Sequence, residues 1–545
     1  MRRLVCFAFG FLCAWASLSA SEPTLVEAAK SGDLTAVRSL LKGGADANAA
    51  ASDGSTAVHW AVHRDNLEMV NALLAAGAKP DLVTRYKIPP LTLAAQNGNA
   101  AIIERLIEAG AKPDTVSEEG QTALMTAARN GSVAAVRALL RHGAHVGLAE
   151  SFRGQTALMF AAGEGNTDAA RLLLEFGADV KTRSTAGFTP LLFAVRNNRP
   201  EMVKLLLNQG ADVNDRIPDG TSALSMAILN ADFDLAAQLL DAGANPNVPD
   251  PRGTPLHVVM WLHQPGAPPD FAMNGEDPQP VPRPRGRLSH LDIAKLLMAK
   301  GADPNATITW PERRFGSGGL ARNPPNLNIG RHYLAYEGAT PFYLAARNGD
   351  EPMMRVLADG GADPTRATRF GVTPLMAAAC LDYYEGETAG PFSGVPEAQR
   401  LDAVKLALKL GNKINARTTF GDYTMTGTPE ATLLRYPDNF QDLVDLGVGD
   451  PRFADMTALH GAVICNQPSI VKYLIEQGAE VNAKNRLGWT PLMIAGGLYI
   501  ANAHKTSPAS ADILREALAA RGVTAGQAGA STVRTSGAPD PTSRR

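Results

Sequence analysis

A Gly-Ala pair recurs along this chain at a nearly constant interval. A period of about 33 residues is typical of repeat architectures, in which each unit buries its apolar surface only against neighbouring copies. The 545 residues therefore predict one long array rather than three or four separate domains. The glycines of seven successive pairs, 33 or 34 residues apart, are Gly44, Gly77, Gly110, Gly143, Gly177, Gly210 and Gly243.

Residues 187–214 show what one period contains. The unit opens with Thr189-Pro190-Leu191, continues through two short apolar segments and closes at Gly210. Threonine can cap a helix through its side-chain oxygen, and proline is tolerated in the first helical turn. Glycine can adopt the left-handed conformation that ends a helix. The sequence thus predicts a pair of short helices in each repeat.

The period and the recurring Thr-Pro-Leu openings resemble the ankyrin repeat. Such openings begin at Thr189, Thr254, Thr373 and Thr490. The resemblance covers nearly the whole chain after its first residues. It implies an all-α ankyrin-repeat solenoid of about 12 helix-turn-helix repeats with loop insertions in the C-terminal half. It also implies a curved stack that binds other proteins, whose identity it does not give.

The spacing of the repeats predicts how the chain is organised. We expect a signal peptide at 1–21, uninterrupted repeats 1–7 at 22–250, and repeats 8–12 with long insertions at 251–522. Residues 523–545 lack apolar periodicity and predict a disordered tail. The insertions include residues 264–287, 309–336, 382–399 and 421–450.

The insertions leave two interpretations open. The segment 309–336 is rich in arginine and aromatic residues, which dominate interface hot spots. These residues could instead hold a long loop against the stack. The insertions also support the alternative function, an enzyme or a small-ligand-binding protein whose site they build.

The N-terminus has the pattern of a secretory signal. Arg2-Arg3 precedes an apolar run from Leu4 to Leu18, and the small residues Ser19-Ala20-Ser21 follow. This pattern predicts cleavage and a periplasmic or secreted protein, with an uncleaved anchor as the alternative. No later run is apolar and long enough to span a bilayer, so we expect no membrane insertion after cleavage. An exported chain of this kind resembles the ankyrin proteins of environmental bacteria.

Charge and motifs argue against catalysis and nucleic-acid binding. The net charge of −2 provides no basic field for nucleic acid. We find no nucleophile elbow, phosphate-binding loop or Cys-x-x-Cys motif, and predict no catalytic residue and no cofactor. His59 and His63 have a spacing that suits a metal. However, His59, His257 and His460 occupy the position of the ankyrin histidine, which the resemblance implies is structural, so we predict no metal site.

The resemblance also implies where partners bind. In ankyrin repeats these are the residues that flank the opening glycine and the exposed end of the first helix. We therefore predict a non-catalytic, monomeric scaffold that binds an unidentified protein. The candidate binding residues are Glu118, Glu119, Gln121, Arg129, Asn130, Phe152, Arg153, Gln155, Glu164, Phe188, Arg196, Asn197, Tyr336, Arg347 and Asn348.

Two cysteines remain after the predicted signal peptide. Cys380 follows Thr373 by seven residues and Cys465 follows Thr457 by eight, which places both near the ends of the first helices of neighbouring repeats. Adjacent helices can bring such positions within disulfide range, and an exported compartment permits oxidation. A disulfide and two separately buried thiols are both compatible with this spacing.

Overall fold

The computed structural model describes residues 23–250, 252–262, 284–309, 338–381, 395–419, 454–486, 488–497 and 506–523. These residues form short α-helices joined by turns, which confirms the predicted all-α solenoid class. The chain divides into two compact units, Met1–Thr185 and Ala186–Arg545. This division lies after repeat 5, among the repeats that carry no insertion. The predicted signal peptide, most of each insertion and nearly all of the predicted tail lie outside the described residues.

The first unit contains five helix pairs, one for each of repeats 1–5. Their bounds are α1 Leu25–Ser31, α2 Leu34–Lys42, α3 Ala57–His63, α4 Leu67–Ala75, α5 Pro90–Asn97, α6 Ala100–Glu108, α7 Ala123–Asn130, α8 Val133–Arg141, α9 Ala157–Glu164 and α10 Thr167–Glu175. The first helix of each pair contacts the first helix of the next, and the second helices contact each other in the same way. The unit therefore consists of two adjacent layers of helices.

The second unit contains the helix pairs of repeats 6–12 among the described residues. Their bounds are α11 Pro190–Arg196, α12 Pro200–Asn208, α13 Ala223–Leu229, α14 Phe233–Asp241, α15 Pro255–Leu262, α16 His290–Ala299, α17 Pro341–Arg347, α18 Glu351–Asp359, α19 Pro374–Ala378, α20 Glu397–Lys409, α21 Ala458–Ile464, α22 Pro468–Glu476, α23 Pro491–Ala495 and α24 Pro508–Ala520. Helix α15 contacts α17, and α19 contacts α21. The stacking thus continues between repeats that the insertions separate in sequence.

The opening threonine caps the first helix as predicted. Thr189 lies in the extended region, and its Oγ1 accepts a hydrogen bond from the backbone N–H of Leu192 at 3.4 Å. Thr340 caps its helix through the N–H of Tyr343 at 3.1 Å. Proline occupies the first turn of both helices, where no hydrogen-bond donor is needed. These caps satisfy N–H groups that a helix start leaves unpaired.

The closing glycine ends the second helix in the predicted left-handed conformation. Gly77 has φ 86°, and nothing lies within 4 Å of the position that its Cβ would take. Backbone strain rather than lack of space therefore requires glycine here. The N–H groups of Gly77 and Ala78 bond to the carbonyls of Leu74 and Leu73 at 3.1 and 3.0 Å. These bonds satisfy carbonyls that the end of the helix leaves free.

In several repeats an asparagine after the second helix joins this turn to the next repeat. Asn247 Nδ2 donates to the carbonyl of Gly301 at 2.8 Å, and its Oδ1 accepts from the N–H of Asp303 at 2.8 Å. Asn48 makes the equivalent bonds to repeat 2 in the first unit, at 3.1 and 2.8 Å. Gly301 belongs to repeat 8, so Asn247 bonds directly across the first insertion.

Candidate protein-binding surface

The ends of the first helices form a line of partly exposed side chains in the first unit. In repeats 2–4 these are the fourth, seventh and eighth residues after the opening residue. Repeat 5 contributes the fourth and eighth, because its seventh is the buried Gly163, and repeat 1 contributes Lys30. We call this line the first-helix row. Its members are Lys30, Trp60, His63, Arg64, Leu93, Gln96, Asn97, Thr126, Arg129, Asn130, Phe160 and Glu164, and Glu164 is exposed.

Cations stack on two aromatic rings in this row. The Nζ of Lys30 lies 4.9 Å from the ring centroid of Trp60, whose ring meets His63 edge-on at a centroid distance of 5.6 Å. The guanidinium carbon of Arg129 lies 4.1 Å from the ring centroid of Phe160. A cation over an aromatic face is worth roughly 0.5–1 kcal/mol at an exposed site. Neither ring is among the residues predicted from the sequence, although their shared position four residues after the opening threonine could have identified them.

Asparagine at the eighth position bonds to the preceding repeat. Asn130 Nδ2 donates to the carbonyl of Gln96 at 3.1 Å, and Asn97 Nδ2 donates to that of Val62 at 2.7 Å. The amide of Asn130 is therefore part of the scaffold, although its side chain is exposed. The recurrence of asparagine at this position is the signal that could have indicated this role.

Turns that precede the opening residues form a second line in the first unit. We call these turns the tips of repeats 2–5, formed by residues 53–54, 85–87, 118–120 and 152–154. Backbone bonds connect the tip of repeat 3 to that of repeat 2, and the start of the repeat 5 turn to the tip of repeat 4. The N–H of Arg85 donates to the carbonyl of Asp53 at 2.8 Å, and the N–H of Ser151, directly before the tip of repeat 5, donates to that of Glu119 at 3.2 Å. A Cβ on Gly120 would lie 2.7 Å from the backbone nitrogen of Ser151, so this close approach requires glycine.

Four of the nine predicted binding residues of repeats 4 and 5 are exposed on the tips. Glu118 and Glu119 are exposed, and the side chain of Gln121 donates to Glu119 at 3.0 Å. Phe152 is 75% exposed, and the guanidinium of Arg153 lies 5.5 Å from its ring centroid. Gln155 is half-buried beside this tip.

The candidates of repeat 6 form a separate cluster in the second unit. The guanidinium of Arg196 lies 5.4 Å from the ring centroid of Phe188 and 5.7 Å from that of Phe193. The two rings are themselves 5.4 Å apart. Arg196 and Asn197 are exposed, whereas Phe188 is half-buried. An arginine clustered with two aromatic rings is a composition that suits an interface.

The expected exposure of two repeat 9 candidates, Arg347 and Asn348, is wrong. Arg347 and Asn348 are only 2% and 3% exposed. Asn348 Nδ2 donates to the carbonyl of Met260 at 2.9 Å, which is the asparagine bond of the first-helix row made between repeats 8 and 9. These two side chains therefore belong to the interior. Tyr336, the third candidate of this repeat, lies outside the described residues.

The three histidines make the structural bonds that the resemblance implied. The N–H of Thr254 donates to Nδ1 of His257 at 3.1 Å, so the ring proton is on Nε2, which donates to the carbonyl of Ala339 at 3.2 Å. His59 and His460 repeat this arrangement. Burial lowers the pKa of both His257 and His460 to about 4, so these rings are neutral. No group of three metal-ligating side chains occurs among the described residues.

The two remaining cysteines are joined in the second unit. Cys380 lies just after α19 and Cys465 directly after α21, and a disulfide links them across a Cα–Cα distance of 6.2 Å. Both residues are buried. The bond ties repeat 10 to repeat 11, which stack on each other although 85 residues separate the cysteines.

A cavity of about 440 Å³ lies at the C-terminal end of the second unit. Its charged lining residues include Arg417, Glu480, Lys484 and Arg521. Arg417 pairs with Glu480 at 2.8 Å and donates to the carbonyl of Lys484 at 2.7 Å. These bonds hold the arginine within the turn, which favours a structural role over ligand binding. No described helix has the length and apolarity needed to cross a membrane.

Comparison with known proteins places these features in a family context. A model of three ankyrin repeats matches residues 16–84, 69–150, 91–184, 142–217, 176–250 and 431–501, together more than half of the chain. A single ankyrin repeat matches residues 337–369. Among solved structures, the chain is similar to the crystal structure of the ankyrin repeat domain of Bcl-3, a member of the IkappaB protein family. The identity is 33% over 38% of this chain and 95% of that chain, with a TM-score of 0.35. No curated protein matches.

Proposed function

The chain belongs to the ankyrin repeat family, and from this premise we propose that it is an exported, non-catalytic scaffold that binds a protein through its first-helix row. Ankyrin repeats are a general module for protein–protein interaction. The proposal adds a compartment and a surface to that general role.

One observation supports the first-helix row as the binding surface. The first-helix row exposes side chains that differ from repeat to repeat, on backbone positions that the buried alanines and leucines hold fixed. At the equivalent position of repeat 9, Arg347 and Asn348 are buried. Only an exposed and variable row can be adapted to a partner without changing the core, which favours the first unit as the binding surface.

The composition of the row supports a protein partner. Tryptophan and arginine are enriched among the residues that contribute most to protein interfaces. Trp60 and Arg129 are already oriented by their stacking partners, so ordering them on binding costs less conformational entropy. We expect these two side chains to be the main anchors.

Two observations support export to an oxidising compartment. The segment from Arg2 to Ser21 has the composition of a secretory signal. The disulfide between Cys380 and Cys465 is of a kind that persists in the bacterial periplasm or outside the cell and is rare in the cytosol. A periplasmic or secreted bacterial protein accounts for both.

Comparative cross-linking in the native host tests the surface. The wild type is compared with a row variant that carries Trp60→Ala, Arg129→Ala and Glu164→Ala, and with a control variant that carries Arg137→Ala and Arg141→Ala. The control residues are exposed on α8, away from the row. Quantitative mass spectrometry should find a partner that the wild type and the control capture equally and the row variant loses. Equal capture by all three proteins, at unchanged helicity, would reject the row as the binding surface.

A further inference from the structure

The exposed apolar surface of the described chain is concentrated in the turns of the first unit. Five large apolar side chains are exposed among the described residues: Val83, Tyr86, Val116 and Phe152 lie in or beside the tips, and Phe176 lies at the end of α10. Val83 and Val116 occupy equivalent positions, four residues before the left-handed residues Lys87 and Gly120. They therefore lie on the same side of neighbouring tips, those of repeats 3 and 4. Isolated exposed apolar residues need no explanation, but a group on adjacent turns indicates a contact surface.

The charges on these tips alternate in sign. The tip of repeat 2 carries Asp53, that of repeat 3 carries two cations, that of repeat 4 carries two glutamates and that of repeat 5 carries Arg153. All of these side chains are exposed, and none forms an ion pair with another described residue. The members of this tip row, in order, are Asp53, Arg85, Lys87, Glu118, Glu119 and Arg153.

A second carboxylate near the last tip does not disturb this alternation. Glu150 is only 5% exposed, and its oxygens accept hydrogen bonds from the N–H groups of Phe152 and Arg153 at 2.6 and 2.7 Å. This carboxylate stabilises the turn from inside. The exposed charge of the tip of repeat 5 is therefore the guanidinium of Arg153.

A row with the order negative, positive, negative, positive is complementary to itself when a second row lies antiparallel to it. The tips of repeats 2 and 3 then lie opposite those of repeats 5 and 4 of the other copy, so every facing pair has opposite charges. Successive repeats are ~10 Å apart, which separates neighbouring contacts enough for each to be distinct. The two-fold axis passes between the tips of repeats 3 and 4, where Val83 and Val116 of both copies would meet. A parallel arrangement in register would place like charges opposite each other.

We propose that the tips of repeats 2–5 form an isologous interface between two copies of this chain. Isologous contacts close after two subunits, so the product is a dimer rather than a filament. The contact is narrow, and we expect weak association with a strong dependence on salt. This differs from the monomer that the sequence suggested. It leaves the first-helix row available to a different protein.

Charge reversal on the full chain tests the proposal. One variant carries Arg85→Glu and Lys87→Glu, and a second carries Glu118→Lys and Glu119→Lys. Each places like charges opposite each other at both central contacts, so each should weaken dimerisation at least about tenfold. Sedimentation equilibrium measures the association. Arg137→Glu with Arg141→Glu on α8 is the matched control and should dimerise like the wild type.

Mixing the two variants provides the decisive measurement. The reversed tip of one variant is complementary to the reversed tip of the other, so an equimolar mixture should form heterodimers while each variant alone stays monomeric. The chain with all four substitutions should dimerise again. These two rescues also exclude misfolding as the cause of the loss.

Three results would overturn the proposal. They are a wild type that remains monomeric at low salt, a dimer that survives both charge reversals, and a mixture of variants that does not associate. If the wild type and the tip variants are all monomeric and only the tip variants lose binding of another protein, the tips bind that protein and not a second copy. Loss of partner binding in the row variant, with dimerisation unchanged, would leave the proposed function intact, so the two ideas fail independently.

Discussion

Two neutral histidines link the stability of the second unit to pH. Burial holds the pKa of His257 and His460 at about 4, below the value of 6.5 for an exposed histidine. Between these pH values the unfolded chain takes up protons that the folded chain does not bind. The free energy of unfolding is therefore unaffected by these rings above pH 6.5 and falls as the pH drops towards 4, by on the order of 3 kcal/mol per histidine.

Urea unfolding between pH 7 and pH 4 measures this loss. The variant His460→Gln removes one titrating ring and should show a smaller decrease in stability over that range than the wild type, although it starts from a lower value. Because carboxylates titrate in both proteins, the difference between the two curves isolates the histidine. Parallel curves would show that the pKa of His460 is the same in the folded and the unfolded chain.

Local signals in the sequence are sufficient to predict the structural roles of the residues that form each repeat. The cap at Thr189, the left-handed conformation of Gly77 and the bonds of His257 each follow from the position of the residue within its own repeat. The pattern of one repeat is therefore enough to predict them. Burial at Arg347 could not be predicted in this way. Arg129 at the same position in repeat 4 is partly exposed although the two repeats share the same spacing, so the spacing does not determine burial.

Asparagines join neighbouring helix pairs where the sequence separates them. Asn305 Nδ2 donates to the carbonyl of Gly361 at 2.9 Å, and its Oδ1 accepts from the N–H of Asp363 at 2.6 Å. The substitution Asn305→Ala removes both bonds between repeats 8 and 9 and should lower the free energy of unfolding by about 1–2 kcal/mol. Chemical denaturation measures the change. Asn208→Ala, on the exposed end of α12, is the control and should have little effect.

The disulfide provides a second connection between elements, and the sequence left its existence open. In the structure the bond closes a long loop between α19 and α21, so its main effect is to restrict the unfolded chain. Reduction should lower the stability of the second unit by ~2–4 kcal/mol. Mass spectrometry of alkylated peptides without reductant should find no free thiol at Cys380 or Cys465, and two free thiols would contradict the bond.

For the molecule as a whole, the period and the Thr-Pro-Leu openings indicated the ankyrin resemblance, and that resemblance implied the all-α class and the helix pairs. It could not predict the division after Thr185, because all seven uninterrupted repeats have the same pattern. It also did not separate the first-helix row from its buried counterpart in repeat 9. Periodicity describes what the repeats share, whereas a binding surface depends on where they differ and on which of those differences remain exposed.

Export gives a prediction that involves the whole molecule. If the signal is cleaved, protein isolated from the cell envelope should begin at Ser21 or Glu22 and contain the Cys380–Cys465 disulfide. A variant that lacks residues 2–20 should remain in the cytosol, where both thiols stay reduced, and should therefore unfold at a lower urea concentration. N-terminal sequencing and thiol alkylation of the two proteins test this. Recovery of wild-type protein with an intact Met1 from the cytosol would contradict export, whereas an oxidised cytosolic variant would show that the disulfide does not report the compartment.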